Sequence, residues 1–152
     1  MNDETIREIL FRAKRSDNGK WVEGYLFKKH YQESPHDRFV IQYKTAGDEY
    51  KWTPKYIAEE IDESTICQYT GLTDKNGQKI WEHDFAFVTD GDGCLGQVDT
   101  GLGEIIFLDG LWYIDGHVQN ALYDINRCFQ IEVRGNAFDN PELLQEEEKD
   151  ER

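Results

Sequence analysis

Hydrophobic positions in this chain fall into short runs and alternations broken by polar turns, a pattern that predicts strands rather than long helices. Residues 6–13, IREILFRA, mix alternation with a short apolar run and read as a first strand. SDNGK follows at Ser16–Lys20, where Asn18-Gly19 supplies the positive φ of a tight hairpin turn. WVEGYLFKKHY then returns as a second strand, and HDRFVIQYK (His36 to Lys44) is a third, after a loop containing Pro35. Tyr50 to Ile61 is less regular. Thr53 can cap a helix with Pro54 at its first position, and YIAEEI puts apolar residues at 56, 57 and 61, so a short helix is expected there.

Downstream the pattern stays β. KIWEHDFAFVT reads as a strand leading into the glycine-rich loop DGDGCLGQ. GEIIFLDGLWYID is a hairpin on paper, with IIFL and LWYI joined by Asp109-Gly110. CFQIEVRG alternates Phe129, Ile131 and Val133 inward against polar neighbours. After GNAFDNPELL, where Asn140 can cap a helical turn before Pro141, the chain ends in a charged tail. The expected fold is mainly β, a small antiparallel sheet or barrel with one short helix.

Composition agrees. The 152 residues are about the size of one domain, and 8 Tyr, 8 Phe and 4 Trp supply apolar area for a core. The charge changes the functional picture more. There are 31 Asp and Glu against 17 Lys and Arg, a net of −14. Affinity for nucleic acid comes mainly from Lys and Arg displacing counterions, so direct binding to DNA or RNA is disfavoured unless a basic face hides inside the acidic average. Acidic mimicry of nucleic acid is a second reading of the same number. The opening MNDETIREILFRAKR is charged, unlike a signal peptide, and no run of about 18 apolar residues could cross a membrane. A cytoplasmic protein with reduced thiols is expected.

Candidate chemistry is sparse. GDGCLG (Gly91 to Gly96) matches a dinucleotide-binding pattern, but QVDTGLGEIIF follows it without helical periodicity, and Asp90 and Asp92 would oppose phosphate. A calcium loop begun at Asp74 or Asp90 lacks Gly at its sixth position and Glu at its twelfth. His30, His36, His83 and His117 and the cysteines Cys67, Cys94 and Cys128 contain no close ligand pair, so no metal and no cofactor are expected. None of the three serines lies in a nucleophile elbow, and Cys94 with His83 is the one thiol–imidazole pair to consider. Paired carboxylates are the best enzymatic clue. If Glu82 and Asp84 sit on one strand they share a face about 7 Å apart, an acid/base separation that an ordinary solvated strand also shows. No catalytic residue is assigned, and Glu82, His83 and Asp84 are the candidate binding positions.

One stretch is more distinctive. CQYTGLTDKNGQKIWEHDFAFV, Cys67 to Val88, resembles the central pattern of the YopX-like proteins of bacteriophages and prophages, Q-Y-T-G-L-x-D-K-N-G-x-x-I followed by E-G-D-I-V. REILFRAKRSDNGKWVEGYL and IEVRGNAFDNPELL are similar to that family's two ends. His83 stands where the family has glycine, so His83 must bear a positive φ or the turn must change. The resemblance implies a single domain over 1–144, with an N-terminal β part at about 1–66, an SH3-like barrel at about 67–140 and an acidic tail at 145–152. It also implies a phage or prophage origin and a place in the bacterial host cytoplasm. The functional expectation is a non-enzymatic accessory or interaction module for an unknown host or phage protein. The alternatives are a small hydrolase-like enzyme using Glu82, Asp84 and His83, or an acidic nucleic-acid mimic. On this reading Gln68–Asp84 is a fold signature rather than an active site.

Overall fold

The structure is a computed structural model that describes residues 7–45, 55–89, 100–116, 119–122 and 130–145. Its chain begins with the hairpin written into SDNGK. Strand β1 (Phe11–Lys14) pairs antiparallel with β2 (Trp21–Lys29), and the turn between them is closed by Gly19 at φ 68. Gly19 takes the left-handed position alone. The Asn18 side chain instead accepts the Lys20 N–H at 3.0 Å. The first strand is shorter than its sequence pattern, because residues 7–10 precede the ladder. Ile9 is exposed there, whereas Leu10 is buried and its carbonyl accepts the Tyr69 N–H at 2.9 Å.

Strand β3 (Arg38–Thr45) adds to β2, and β4 (Lys55–Glu60) adds to β3. The short helix expected within Tyr50–Ile61 is therefore corrected over its second half. Residues 55–60 are an edge strand with six pairs to β3, from Val40↔Glu60 to Thr45↔Lys55. Ile57, Glu59 and Ile61 turn toward the packed face while Tyr56 and Ala58 are exposed, the two-residue period that a helix would have broken. The proposed cap, Thr53 with Pro54, lies outside the described residues. A single 3-10 turn at Glu63–Thr65, capped by the Asp62 side chain on the Ser64 N–H, leads into β5 (Cys67–Thr73).

Two further strands follow, β6 (Lys79–Trp81) and β7 (Asp84–Thr89), then β8 (Gly101–Leu108), β9 (Leu111–Gly116), the two-residue β10 (Asn120–Ala121) and β11 (Gln130–Asn136). The β8–β9 hairpin turns at Asp109 (φ 50) and Gly110 (φ 84), the two positive φ angles that make such a turn follow the strand twist. The strands form two antiparallel sheets, in the orders β4-β3-β2-β1-β5-β6 and β10-β9-β8-β7-β11. Among the described residues neither closes into a barrel, so the SH3-like closure implied by the resemblance is not among them.

The chain divides into two compact units, Met1–Tyr69 and Thr70–Arg152. Ala13, Ile41 and Ile61 centre the first core, with Phe11, Val22, Leu26, Phe39 and Ile66 against them. The second is larger: Ile80, Ala86, Val88, Ile105, Ile114, Leu122 and Ile131 are all at most 2% exposed. Burying each of the Val, Leu and Ile side chains among them contributes about 1.5–3 kcal/mol. Ile131 points inward as its alternation predicts, with Val133 partly buried beside the core, while Phe129 lies outside the described residues.

Candidate functional site

The segment Gln68–Asp84 is built around backbone needs. Asp74, 7% exposed, ends β5 and collects backbone donors. Its Oδ1 accepts the N–H groups of Asn76 at 2.8 Å and Gln78 at 2.9 Å, and its Oδ2 accepts that of Val133 at 3.1 Å. Gly77 closes this turn at φ 77, and of the Asn76-Gly77 pair the glycine alone takes the left-handed region. Asp74 is thus the hub of a turn, and its carboxylate is occupied by amides. Thr70 is also buried, and its hydroxyl donates to the Ile80 carbonyl at 2.8 Å.

Beyond Trp81 the sequence reading needs correction. KIWEHDFAFVT is not one strand: Glu82 and His83 form a turn between β6 and β7. His83 has φ 66, so it does bear the left-handed backbone where the resembling family has glycine. The turn is fixed on both sides. The His83 N–H donates to the Ile105 carbonyl at 2.7 Å, and the His83 carbonyl accepts the Ala137 N–H at 2.9 Å. Because the strand breaks here, Glu82 and Asp84 do not share a face. Asp84 is 1% exposed, and its Oδ2 accepts the Trp81 N–H at 2.8 Å across the turn. The carboxylate pair proposed as an acid/base couple is therefore divided into one buried backbone cap and one surface group.

The structure brings a different partner to His83. Its Nδ1 lies 2.7 Å from Glu104 Oε1 on β8, its Nε2 lies 4.0 Å from Glu82 Oε1, and its ring meets Phe138 edge-on at 5.7 Å. Imidazole between two carboxylates can exchange a proton, and it also makes an ordinary surface ion pair. Glu104 was missed because nothing in GEIIFLDG marks it; only the β7–β8 register, Phe85↔Glu104, brings it beside the turn.

The other candidates stay apart. His30 Nδ1 contacts Asp37 Oδ1 at 2.9 Å in an exposed loop, and Cys67 is fully buried with its thiol directed at the Thr65 carbonyl at 3.3 Å. Cys94, His117, Cys128 and the GDGCLG loop lie outside the described residues. Among the described residues, no group of three or more His, Cys, Asp or Glu could hold a metal ion.

A second surface was not singled out by sequence. At the tip of the β8–β9 hairpin Phe107, Leu108 and Leu111 are 53%, 52% and 55% exposed. Leu108 and Leu111 are cross-strand partners, and Phe107 leans on Trp112 with ring centroids 4.9 Å apart. Beside them a cleft of about 480 Å³ is lined by Ile106, Leu108, Tyr113 and Ala121, with Asp115 and Gln119 as its polar members. The Gln119 amide donates to Asp115 Oδ1 at 3.0 Å. The apolar pattern of IIFL and LWYI predicted the hairpin correctly, but not that its last turn would be left uncovered.

The family described as YopX protein matches the chain over residues 10–145. Among solved structures, the crystal structure of protein EF1440 from Enterococcus faecalis is similar, with 23% sequence identity and a TM-score of 0.47, covering 91% of this chain and 99% of that one. No curated protein matches. Among the described residues no helix is long and apolar enough to cross a membrane.

Proposed function

The chain belongs to the YopX family, and from that premise we propose that it is a phage or prophage accessory protein acting as a non-enzymatic interaction module in the bacterial host. The β8–β9 hairpin tip is its docking surface for a host or phage protein. The observation that carries this reading is the trio Phe107, Leu108 and Leu111, each more than half exposed on adjoining positions of one tight turn. Three large apolar side chains gathered in this way are a costly surface for a protein to leave in water, and contiguous apolar patches mark interaction sites. The adjacent cleft gives a partner side chain somewhere to insert, and apolar anchors in such pockets dominate interface energies. The unit Thr70–Arg152 holds 18 Asp and Glu against 6 Lys and Arg, so the complementary partner presents an apolar anchor ringed by basic residues.

The enzyme reading loses support at the Glu82 and Asp84 pair, since Asp84 is committed to a backbone amide in the core. A photo-crosslinking side chain at Leu108, with one at Lys75 as control, tests the docking reading in host lysate. A protein that crosslinks from position 108 but not 75, and is lost with Leu108→Glu/Leu111→Glu while the melting temperature is unchanged, is the expected result. Equal crosslinking from both positions, or capture unaffected by the double glutamate variant, would refute it.

A further inference from the structure

The net charge of −14 is not evenly spread. Met1–Tyr69 carries 11 Lys and Arg against 13 Asp and Glu, a net of −2, while Thr70–Arg152 carries 6 against 18, a net of −12. Acidity therefore repels nucleic acid from the second unit and hardly from the first. Within the first unit, strand register sorts the charges further. Ala13, Val22, Leu26, Ile41 and Ile61 take one face of the sheet into the core, so their strand neighbours occupy the other.

That second face combines aromatic and basic side chains. Tyr25 and Phe27 stand two residues apart on β2, with Tyr56 on β4, and they are 58%, 38% and 55% exposed. Lys44 is the cross-strand partner of Tyr56, and Lys29 is the partner of Arg38. Tyr31 lies between the last two, with Lys29 Nζ 4.9 Å and Arg38 Cζ 5.7 Å from its ring. Farther across, Arg12 and Lys14 on β1 lie over the Trp21 ring at 4.7 and 5.5 Å. Two acids share the face, Glu23 and Glu60, and Glu60 is engaged by Arg38 at 2.9 Å. Five basic residues thus share this face with two acidic ones and with the exposed rings of Tyr25, Phe27 and Tyr56, while Val40, opposite Phe27, is buried.

We propose that this face of the β1–β4 sheet binds single-stranded nucleic acid, with bases stacked on Tyr25, Phe27 and Tyr56 and phosphates on Lys29, Arg38 and Lys44. The spacing fits. Residues two apart on a strand are about 7 Å from one another, near the separation of successive bases in an extended strand, and flat rings accept any base. A duplex cannot use the same platform, because its bases are already stacked on each other. With few phosphate contacts and an acidic second unit, the binding is weak and steeply salt-dependent. This site is independent of the hairpin tip and of the docking proposed there.

The test is fluorescence anisotropy of a labelled oligothymidylate of roughly a dozen nucleotides with the full chain. Titrations start at about 0.01 M salt, where the screening length is about 30 Å. Expected are saturable binding with a log–log salt slope near −2, from about three phosphate contacts at roughly 0.7 each, and weaker binding of a duplex of equal length. Tyr25→Ala/Tyr56→Ala should weaken binding at least about tenfold, given the usual worth of base stacking. Lys44→Gln should flatten the slope by roughly 0.7, and Leu108→Glu/Leu111→Glu should change nothing. Both tyrosines are mostly exposed, so circular dichroism and melting should be unaltered. No anisotropy change at the lowest salt overturns the proposal. So does equal affinity for duplex with undiminished binding by the tyrosine variant, which would mark a mere counterion surface.

Discussion

The Val133 N–H donates to Asp74 Oδ2 at 3.1 Å, joining two residues 59 positions apart. The same carboxylate holds the turn that follows it, through the Asn76 and Gln78 N–H groups. Beside it the Lys75 N–H donates to the Ile131 carbonyl at 2.9 Å, and Lys75 Nζ reaches Glu132 at 2.6 Å. One buried side chain thus closes a local turn and docks it on β11. Asp74→Ala leaves three backbone donors without their acceptor and should cost about 3 kcal/mol. Asp74→Asn keeps one acceptor oxygen and should cost roughly half as much. Urea denaturation of the two variants measures both values, and equal, sub-kilocalorie losses would show that Asp74 is not the hub described.

Gly77 separates backbone strain from crowding. Its φ is 77, and a Cβ built there meets nothing within 4 Å. Gly77→Val should therefore cost about 1–3 kcal/mol through backbone conformation alone, and Gly77→Asn distinctly less, since Asn tolerates the left-handed region. Gly103 is the opposite case: a Cβ there would lie 2.6 Å from Ile114 Cγ1. Gly103→Ala is expected to destabilise by crowding, about 1–3 kcal/mol, and an Ile114→Ala background, which lacks Cγ1, should relieve part of that loss. Thermal melts of the four variants distinguish the two mechanisms.

At His83 the backbone and the side chain pull in different directions. The left-handed φ of 66 is unfavourable for a residue with a Cβ, while the side chain gains Glu104 and Phe138. Both His83→Ala and His83→Gly remove the side-chain contacts, but only glycine relaxes the backbone. His83→Gly should therefore be more stable than His83→Ala by about 1 kcal/mol. An alanine variant as stable as the glycine variant would mean that the turn rearranges when the imidazole is lost.

Glu82 and Asp84 carry the same formal charge and should respond very differently to losing it. Asp84 is buried against the Trp81 N–H, whereas Glu82 is partly exposed and its Oε1 lies 4.0 Å from His83 Nε2. Asp84→Ala should cost about 2–3 kcal/mol, and Glu82→Gln less than about 0.5 kcal/mol. Chemical denaturation with matched slopes checks this, and the reverse order would restore Glu82 as the structural member of the pair.

These contrasts show which features sequence could carry. The hairpins were legible because Gly19 and Asp109-Gly110 are local backbone signals that need no partner. Ile131 and Val133 were legible for a similar reason, since alternation depends only on near neighbours. Lys55–Glu60 was misread because its apolar residues fit both periods, and the open edge of β3 decided between them. The division of Glu82 from Asp84 depended on a strand break at a histidine, where glycine would have announced the turn. The pairing of Glu104 with His83 and the aromatic-basic face of β1–β4 depend on register between distant segments, which no local pattern encodes.

Acid should act through a small set of paired surface carboxylates. The Tyr31 hydroxyl and then Arg38 hold the Glu60 carboxyl below the usual carboxylate range, Lys75 does so for Glu132, and the Ser64 hydroxyl and N–H do so for Asp62. A carboxylate whose folded pKa is depressed contributes stability that is complete above its unfolded value and is lost as pH falls through the folded one. The denaturation midpoint should thus stay level from neutral pH to about 5 and decline below about 4.5. Asp62 is exposed and Glu60 and Glu132 are half-exposed, so screening keeps each contribution modest and added salt should shrink it. The Tyr31–Glu60 hydrogen bond has a second consequence, because it raises the Tyr31 pKa. Its contribution is present below the unfolded tyrosine value of about 10 and is lost as pH rises through the folded one. Glu60→Gln should therefore flatten both arms of the pH profile, whereas Glu132→Gln should flatten the acid arm alone. An alkaline arm unchanged by Glu60→Gln would separate Tyr31 from Glu60 and leave the acid arm to the Arg38 pair.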